Sequence, residues 1–314
     1  MAHDETTPTR HSSLVTRHSV VPLLGHPVAH SLSPAFQDAA FAAAGIPARY
    51  VLWDVAPGEL AAAVARLREP GVLGANVTVP HKEAVVPLLD ALTPRAARVG
   101  AVNTIVKRGA ALEGDNTDLD GFLAPLRERG LPLAATRAVL LGAGGAARAV
   151  AAALLDAGAP ALAVANRTPA RAVALARDLG DARVCALGLD DPALGEACAG
   201  AGLLVNATSA GWGDDAPPAA LAALDRLPPG ALVYDLTYRA TPFLRAAAAR
   251  GLATLDGLPM LVEQGALAWR RWTGREPPRA AMRAAAAAAV AARDAHPALH
   301  SAPRDGEKPG DARA

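Results

Sequence analysis

The segment that most constrains this chain is a glycine-rich junction between an apolar run and an alanine-rich one. Residues 137–141 (Arg-Ala-Val-Leu-Leu) read as a buried strand. They lead directly into Gly142-Ala143-Gly144-Gly145-Ala146-Ala147-Arg148, and 145–157 read as a helix. This is G-x-G-x-x-A in the setting that gives it meaning: strand, tight turn, helix N-terminus. Gly142 permits the turn, Gly144 lets the backbone approach a pyrophosphate, and the small Ala147 allows close contact of helix and strand. The first N–H groups of such a helix have no intrahelical partner and attract phosphate. The segment reads as a dinucleotide site.

The next strand, 161–165, decides which dinucleotide. A site for an unphosphorylated ribose ends that strand in Asp or Glu. Here the chain continues Asn166-Arg167-Thr168-Pro169-Ala170-Arg171, with no acid. Arg engages phosphate bidentately. Two cations at the start of a helix (169–179) also oppose its dipole and call for a compensating anion. Asn166, Arg167, Thr168 and Arg171 therefore favour a 2′-phosphate, and NADP over NAD.

Composition narrows the class. A chain of 314 residues suggests about two domains, and 52% hydrophobic with 19% charged residues excludes disorder for most of it. Lys and Arg number 31 against 30 Asp and Glu. That lacks the basic excess of a nucleic-acid surface or of a polybasic membrane-binding protein. The longest apolar run, 284–292, is mostly alanine and falls short of the ~18 residues that span a bilayer. Two cysteines, Cys185 and Cys198, cannot build a disulfide framework or a four-thiolate metal site. They read as buried packing in a reducing, cytoplasmic setting. Residues 1–18 read as a disordered leader without the apolar core of a secretory signal, and 296–314 as a disordered tail.

Between those ends, strand-like runs (20–24, 50–54, 74–77) alternate with helix-like ones (34–44, 57–67, and a short 81–89). A hairpin is expected over 101–106 and 111–114, and a helix over 119–129. After the glycine junction, strands are expected at 183–186, 203–206 and 231–235, and helices at 258–273 and 278–294. The alternation predicts an α/β fold with mainly parallel sheets and crossover helices.

Four further segments are dense in polar groups. In Gly25-His26-Pro27-Val28-Ala29-His30-Ser31-Leu32-Ser33-Pro34, two hydroxyls at a helix start can cradle a carboxylate, and Ser33 also suits the N-cap. Asn76-Val77-Thr78-Val79-Pro80-His81-Lys82-Glu83 puts Lys82 beyond the carboxyl end of a strand, where open α/β sheets bind ligands. Gly100-Ala101-Val102-Asn103-Thr104 and Gly114-Asp115-Asn116-Thr117-Asp118 complete the set. His81, beside Lys82, has an imidazole able to change charge near neutral pH. His26 and His30 are four apart, but Pro27 denies them a shared helical face, and no metal site is expected.

Together with Asn206-Ala207-Thr208 and the late Asp256-Gly257-Leu258-Pro259-Met260-Leu261-Val262-Glu263-Gln264, these motifs resemble the shikimate dehydrogenases. These are the NADP-dependent oxidoreductases of aromatic amino-acid and chorismate biosynthesis, and the likeness covers about residues 20–290. It implies a split substrate domain (19–118 with 258–295) and a Rossmann-like NADP domain (119–257), with the C-terminal helices returning to the first domain and a cleft that opens and closes. It implies that Ser31 and Ser33 bind the substrate carboxylate. Thr78, Asn103, Asp118 and Gln264 would bind ring hydroxyls, with Tyr238 nearby. Lys82, paired with Asp118, would be the acid–base residue. Thr208, Leu236, Gly257 and Met260 would frame the nicotinamide, beside the stiff Pro259. The family occurs as monomers and homodimers.

The chemistry agrees. Reducing a ring ketone leaves an alkoxide, and an adjacent ammonium both stabilises that charge and protonates it. Dense hydroxyl and amide donors suit a polyhydroxylated ring acid, because such a site rejects analogues that lack a hydroxyl. Quinate/shikimate and aminoshikimate dehydrogenases are the nearest alternatives, and a non-catalytic NADP or ring-acid sensor is another. Ser33 and the Arg167/Arg171 pair lean toward shikimate and NADP, and an intact Lys82 and Asp118 toward catalysis.

Overall fold

The structure is a computed structural model that describes residues 19–208 and 218–295. The expected leader and tail lie outside the described residues. The chain first lays down β1 (Ser19–Gly25), α1 (Ser33–Ala43), β2 (Ala48–Asp54), α2 (Leu60–Arg66), β3 (Gly74–Val77), β4 (Ala91–Leu92), α3 (Pro94–Val99), β5 (Thr104–Arg108) and β6 (Ala111–Asp115). These strands form a six-stranded sheet in the order β2-β1-β3-β5-β6-β4. β1 runs parallel to β2 and β3, while β5 is antiparallel to β3 and β6.

Helix α4 (Asp118–Glu128) then leads into β7 (Ala138–Leu141), α5 (Gly145–Asp156), β8 (Leu162–Asn166), α6 (Pro169–Leu179), β9 (Val184–Gly188), α7 (Ala193–Ala199), β10 (Leu203–Asn206), α8 (Pro218–Leu224), β11 (Leu232–Asp235), α9 (Pro242–Ala249) and β12 (Ala253–Leu255). The second sheet, β12-β11-β10-β7-β8-β9, is parallel throughout. α10 (Leu258–Thr273) and α11 (Arg279–Ala295) return to the first sheet.

Alternation within the strands explains the layers. On β1, Val21 and Leu23 pack against Phe36, Phe41, Trp269 and Met282 from α1, α10 and α11. Leu24 points the other way, toward Leu60, Val64 and Leu67. On β7, Leu140 faces the α4–α5 side and Val139 and Leu141 the α7–α9 side. Strands covered on both faces become apolar runs, and this is why they were readable.

Several local expectations change. Residues 81–89 form turns and one 3₁₀ turn rather than a helix: the Val85 N–H makes a four-residue bond to the His81 carbonyl, but Pro87 has no N–H to continue it, and Val86 to Glu83 and Leu88 to Val85 span three residues. Ser33 is the first residue of α1 rather than its cap; its N–H donates to Ser31 Oγ at 3.2 Å. Cys185 is exposed on the edge strand β9, and only Cys198 is buried. The sequence reading did not find α3, capped by Thr93 Oγ1 accepting from Ala96 N–H, or α9, capped by Thr241. Among the described residues, no helix is long and apolar enough to cross a membrane.

Candidate active site

Parallel strands end on one edge, so each sheet offers the carboxyl ends of its parallel strands to the region between them, and antiparallel β5 brings its amino end, next to Asn103, to the same edge. β3 delivers the turn 78–83 and β6 the turn 115–118 that starts α4. At their meeting point Lys82 Nζ donates to Asp118 Oδ2 at 2.7 Å. The two side chains are only 14% and 4% exposed. Breaking a pair this buried by removing one partner typically costs about 3–5 kcal/mol, so each holds the other in place.

Asn103 organises the surroundings. Its Nδ2 lies 2.8 Å from Asp118 Oδ1, 3.0 Å from Thr117 Oγ1 and 3.2 Å from Gln264 Oε1. Its Oδ1 accepts from the Thr117 N–H at 2.8 Å and the Thr104 hydroxyl at 2.9 Å. The Asp118 N–H donates to Asn116 Oδ1 at 3.0 Å. Gly121 on α4 makes the Gln264 contact feasible: a Cβ there would stand 2.6 Å from Gln264 Cβ.

The serine loop joins by a buried relay. Ser33 contacts the Tyr50 hydroxyl, which donates to Asn76 Oδ1 at 2.8 Å. Asn76 Nδ2 in turn donates to the Asn103 carbonyl at 2.9 Å. Burial pushes the Tyr50 phenol far above its ordinary range, so it acts as a neutral donor. Thr78 packs on Gly25, where any Cβ would collide with the Thr78 methyl. His81 is 1% exposed, and its Nε2 lies 2.6 Å from the Val55 carbonyl. A carbonyl only accepts, so this nitrogen carries the proton and pins the turn.

The second sheet brings up the glycine turn. Gly142 has φ +114°, and a Cβ there would lie 3.0 Å from the Ala207 carbonyl and 3.3 Å from the Thr208 methyl. Gly144 has open space around its missing Cβ, while a Cβ on Gly145 would lie 2.9 Å from Lys82 Cβ. α5 starts here with no side-chain cap, and Ala147 is fully buried beneath it. Ala143 is buried in the same cluster, and Ala146 occupies the first turn of α5.

Past β8, Arg167, Thr168 and Arg171 are exposed, and Asn166 Nδ2 donates to the Thr168 carbonyl at 3.0 Å. Thr208 Oγ1 donates to Asn206 Oδ1 at 2.7 Å. A Cβ on Gly257 would run into the Leu236 carbonyl, so only glycine lets the two backbones pass this closely. Met260 is buried in the first turn of α10, and Pro259 sits where a missing N–H is harmless. Tyr238 lies in the loop after β11, and burial pushes its phenol up to about 12.

Three participants have no role assigned from the sequence. Tyr50 and Asn76 form the relay; Asn76 heads the polar segment 76–83 and Arg148 ends the glycine motif, but neither position marks a partner. Arg148 spans the two halves, with its Nε 3.3 Å from Glu83 Oε2 and its Nη2 2.7 Å from Asp178 Oδ2. Its Nη1 is 3.5 Å from the Val99 carbonyl. Arg171 reaches the same Glu83 at 4.0 Å, the carboxylate found near that helix start.

Comparison with known proteins fits this arrangement. Residues 23–105 match the shikimate dehydrogenase substrate binding domain, 126–211 the shikimate/quinate 5-dehydrogenase family, and 257–287 the shikimate 5′-dehydrogenase C-terminal domain. The chain is 52% identical over 268 residues to the shikimate dehydrogenase (NADP(+)) of Moorella thermoacetica, covering 84% of this chain and 90% of that one. It is similar to the Thermus thermophilus shikimate 5-dehydrogenase solved with NADP(H) and shikimate, at 42% identity and TM-score 0.75, over 86% of this chain and 99% of that one. The Corynebacterium glutamicum quinate dehydrogenase, solved with NAD, is 33% identical with TM-score 0.76, over 86% of this chain and 99% of that one. On fold, motif order and identity across both sheets, the chain belongs to the shikimate dehydrogenase family.

Proposed function

We propose that this enzyme catalyses the reversible NADPH-dependent reduction of 3-dehydroshikimate to shikimate. The observation that carries the reading is the sealed Lys82–Asp118 pair, 2.7 Å apart and set directly against Gly145 of the glycine turn. It sets a proton donor beside the glycine turn that suits a dinucleotide.

The residues fit NADP. Gly142 and Gly144 leave room that a Cβ would fill or stiffen, and α5 presents uncapped N–H groups. Residues 142–147 would hold the pyrophosphate, and Asn166, Arg167, Thr168 and Arg171 the 2′-phosphate. Thr208, Leu236, Gly257 and Met260 would flank the nicotinamide. When bound, the reduced cofactor supplies a hydride to the ring carbonyl carbon.

The chain's own residues do the rest. Lys82 Nζ donates a proton to the carbonyl oxygen as negative charge develops there, and recovers it from the hydroxyl in the reverse direction. Asp118 orients the ammonium. Ser31 and Ser33 hold the ring carboxylate. Thr78, Asn103, Asp118 and Gln264 hold ring hydroxyls, and Tyr238 approaches from the second sheet. A site that meets each hydroxyl with a fixed partner discriminates strongly against rings that lack one. The two unpaired cysteines suit the reducing cytoplasm, where the enzyme would act as a monomer or homodimer.

The test is an absorbance assay of the purified protein with shikimate or quinate and NADP or NAD, in all four pairings. Turnover chiefly with shikimate and NADP supports the reading. Preference for quinate or NAD overturns the specificity, and no turnover in any pairing favours an aminated substrate or a binding role.

A further inference from the structure

Helix α11 packs on α1 and α10, and its last turn reaches the loop after β11. Its root is apolar: Met282 and Ala286 are fully buried among Phe36, Phe41 and Trp269. Arg293 comes eleven residues after Met282, about 16 Å further along the helix at 1.5 Å per residue. An arginine in the last turn of a terminal helix is ordinarily solvated, with its charge favoured by the dipole alone. This one has a side chain only 13% exposed, although its neighbour Asp294 is 60% exposed.

Arg293 reaches the loop after β11. Its Nη2 donates to the Tyr238 carbonyl at 3.1 Å, and its guanidinium carbon lies 5.7 Å from the Tyr238 ring centroid. One side chain from the first sheet's layer thus grips a residue of the second sheet by backbone and by ring face. A planar guanidinium can do both at once. Asp294 Oδ1, 3.2 Å from both Nη2 and Nε, steadies it.

We infer that Arg293 is a positioning residue: from the end of α11 it holds the Tyr238 segment across the cleft, so that Tyr238 meets the substrate only when the two halves are together. The inference rests on the reading of Tyr238 as a substrate contact. Opening the cleft would separate α11 from the β11 loop and withdraw Tyr238 with it. The arrangement couples closure to substrate binding without any change at Lys82. Because the segment 236–239 also carries Leu236, which touches Gly257 at the start of α10, the same loop is held at two points.

The experiment compares R293A, R293K and Y238F with the unaltered enzyme, measuring kcat and KM for shikimate and NADP and the melting temperature. R293A should raise the shikimate KM about tenfold, the scale expected for losing one cation–ring contact and one charged hydrogen bond. The NADP KM should stay within about twofold. R293K should recover part of the loss, since an ammonium can still lie over the ring and reach the carbonyl. An unchanged shikimate KM in R293A overturns the inference, and so does an equal rise in both KM values, which would mark a merely structural role. Y238F separates the two readings. If Y238F lowers kcat/KM for shikimate and R293A does not, only the positioning role falls. If Y238F changes nothing, the assignment of Tyr238 falls and the positioning role falls with it.

Discussion

At the edge of the first sheet, Asn103, Asn116 and Asp118 are each at most 3% exposed, and all three are hydrogen-bonded within the site. At the edge of the second, Arg167, Thr168 and Arg171 stand in water, and the firm elements are backbone: the turn at Gly142 and the start of α5. The first edge is finished before a ligand arrives; the second is a frame with exposed cations, of which Arg171 reaches Glu83 only at 4.0 Å. A preset polar site gives selectivity, because a missing hydroxyl leaves a buried group unpaired. Exposed cations give attraction at long range that salt weakens.

That contrast orders the expected effects. Lys82→Ala should lower kcat at least ~10²-fold with a modest change in KM, checked by steady-state kinetics; undiminished turnover would remove Lys82 from the chemistry. Arg167→Asp should weaken NADP about tenfold or more while barely altering NAD. An equal effect on both cofactors in a binding titration would detach the exposed cations from the 2′-phosphate. Gly145→Ala puts a methyl 2.9 Å from Lys82 Cβ, so kcat should drop about tenfold from a displaced ammonium. Unaltered kcat would mean that the two edges are not in firm contact. The smallest effect is ionic: between about 0.05 and 0.5 M salt the NADP KM should rise a few-fold and the shikimate KM less. The opposite order would reverse the comparison.

How much of this was legible depended on the range of the cause. The glycine turn was readable because strand, turn and helix are adjacent in sequence and each glycine has a local job. The parallel strands were readable because burial on both faces makes them apolar. The helix expected at 81–89 failed on one residue, Pro87, whose missing N–H outweighs the pattern around it. Cys185 was misplaced because its residue type says nothing of being on an edge strand. α3 and α9 were missed because they are short and depend on single threonine caps. Tyr50, Asn76 and Arg148 act on partners 17 or more positions away. Nothing nearby in the chain marks such partners, and for Lys82 and Asp118 it was the resemblance, rather than spacing, that joined residues 36 apart.

The amide of Asn103 carries one more consequence. A primary amide nitrogen has two hydrogens, yet Nδ2 faces three oxygens, at 2.8, 3.0 and 3.2 Å. The Thr117 hydroxyl carries a hydrogen of its own and can turn it onto Asn103 Oδ1, 3.2 Å away, which frees the two amide hydrogens for Asp118 Oδ1 and Gln264 Oε1. Gln264 is tethered through its own Nε2 to the Leu261 carbonyl at 2.7 Å. Turning one hydroxyl therefore re-routes the hydrogens of the whole cluster without moving a heavy atom.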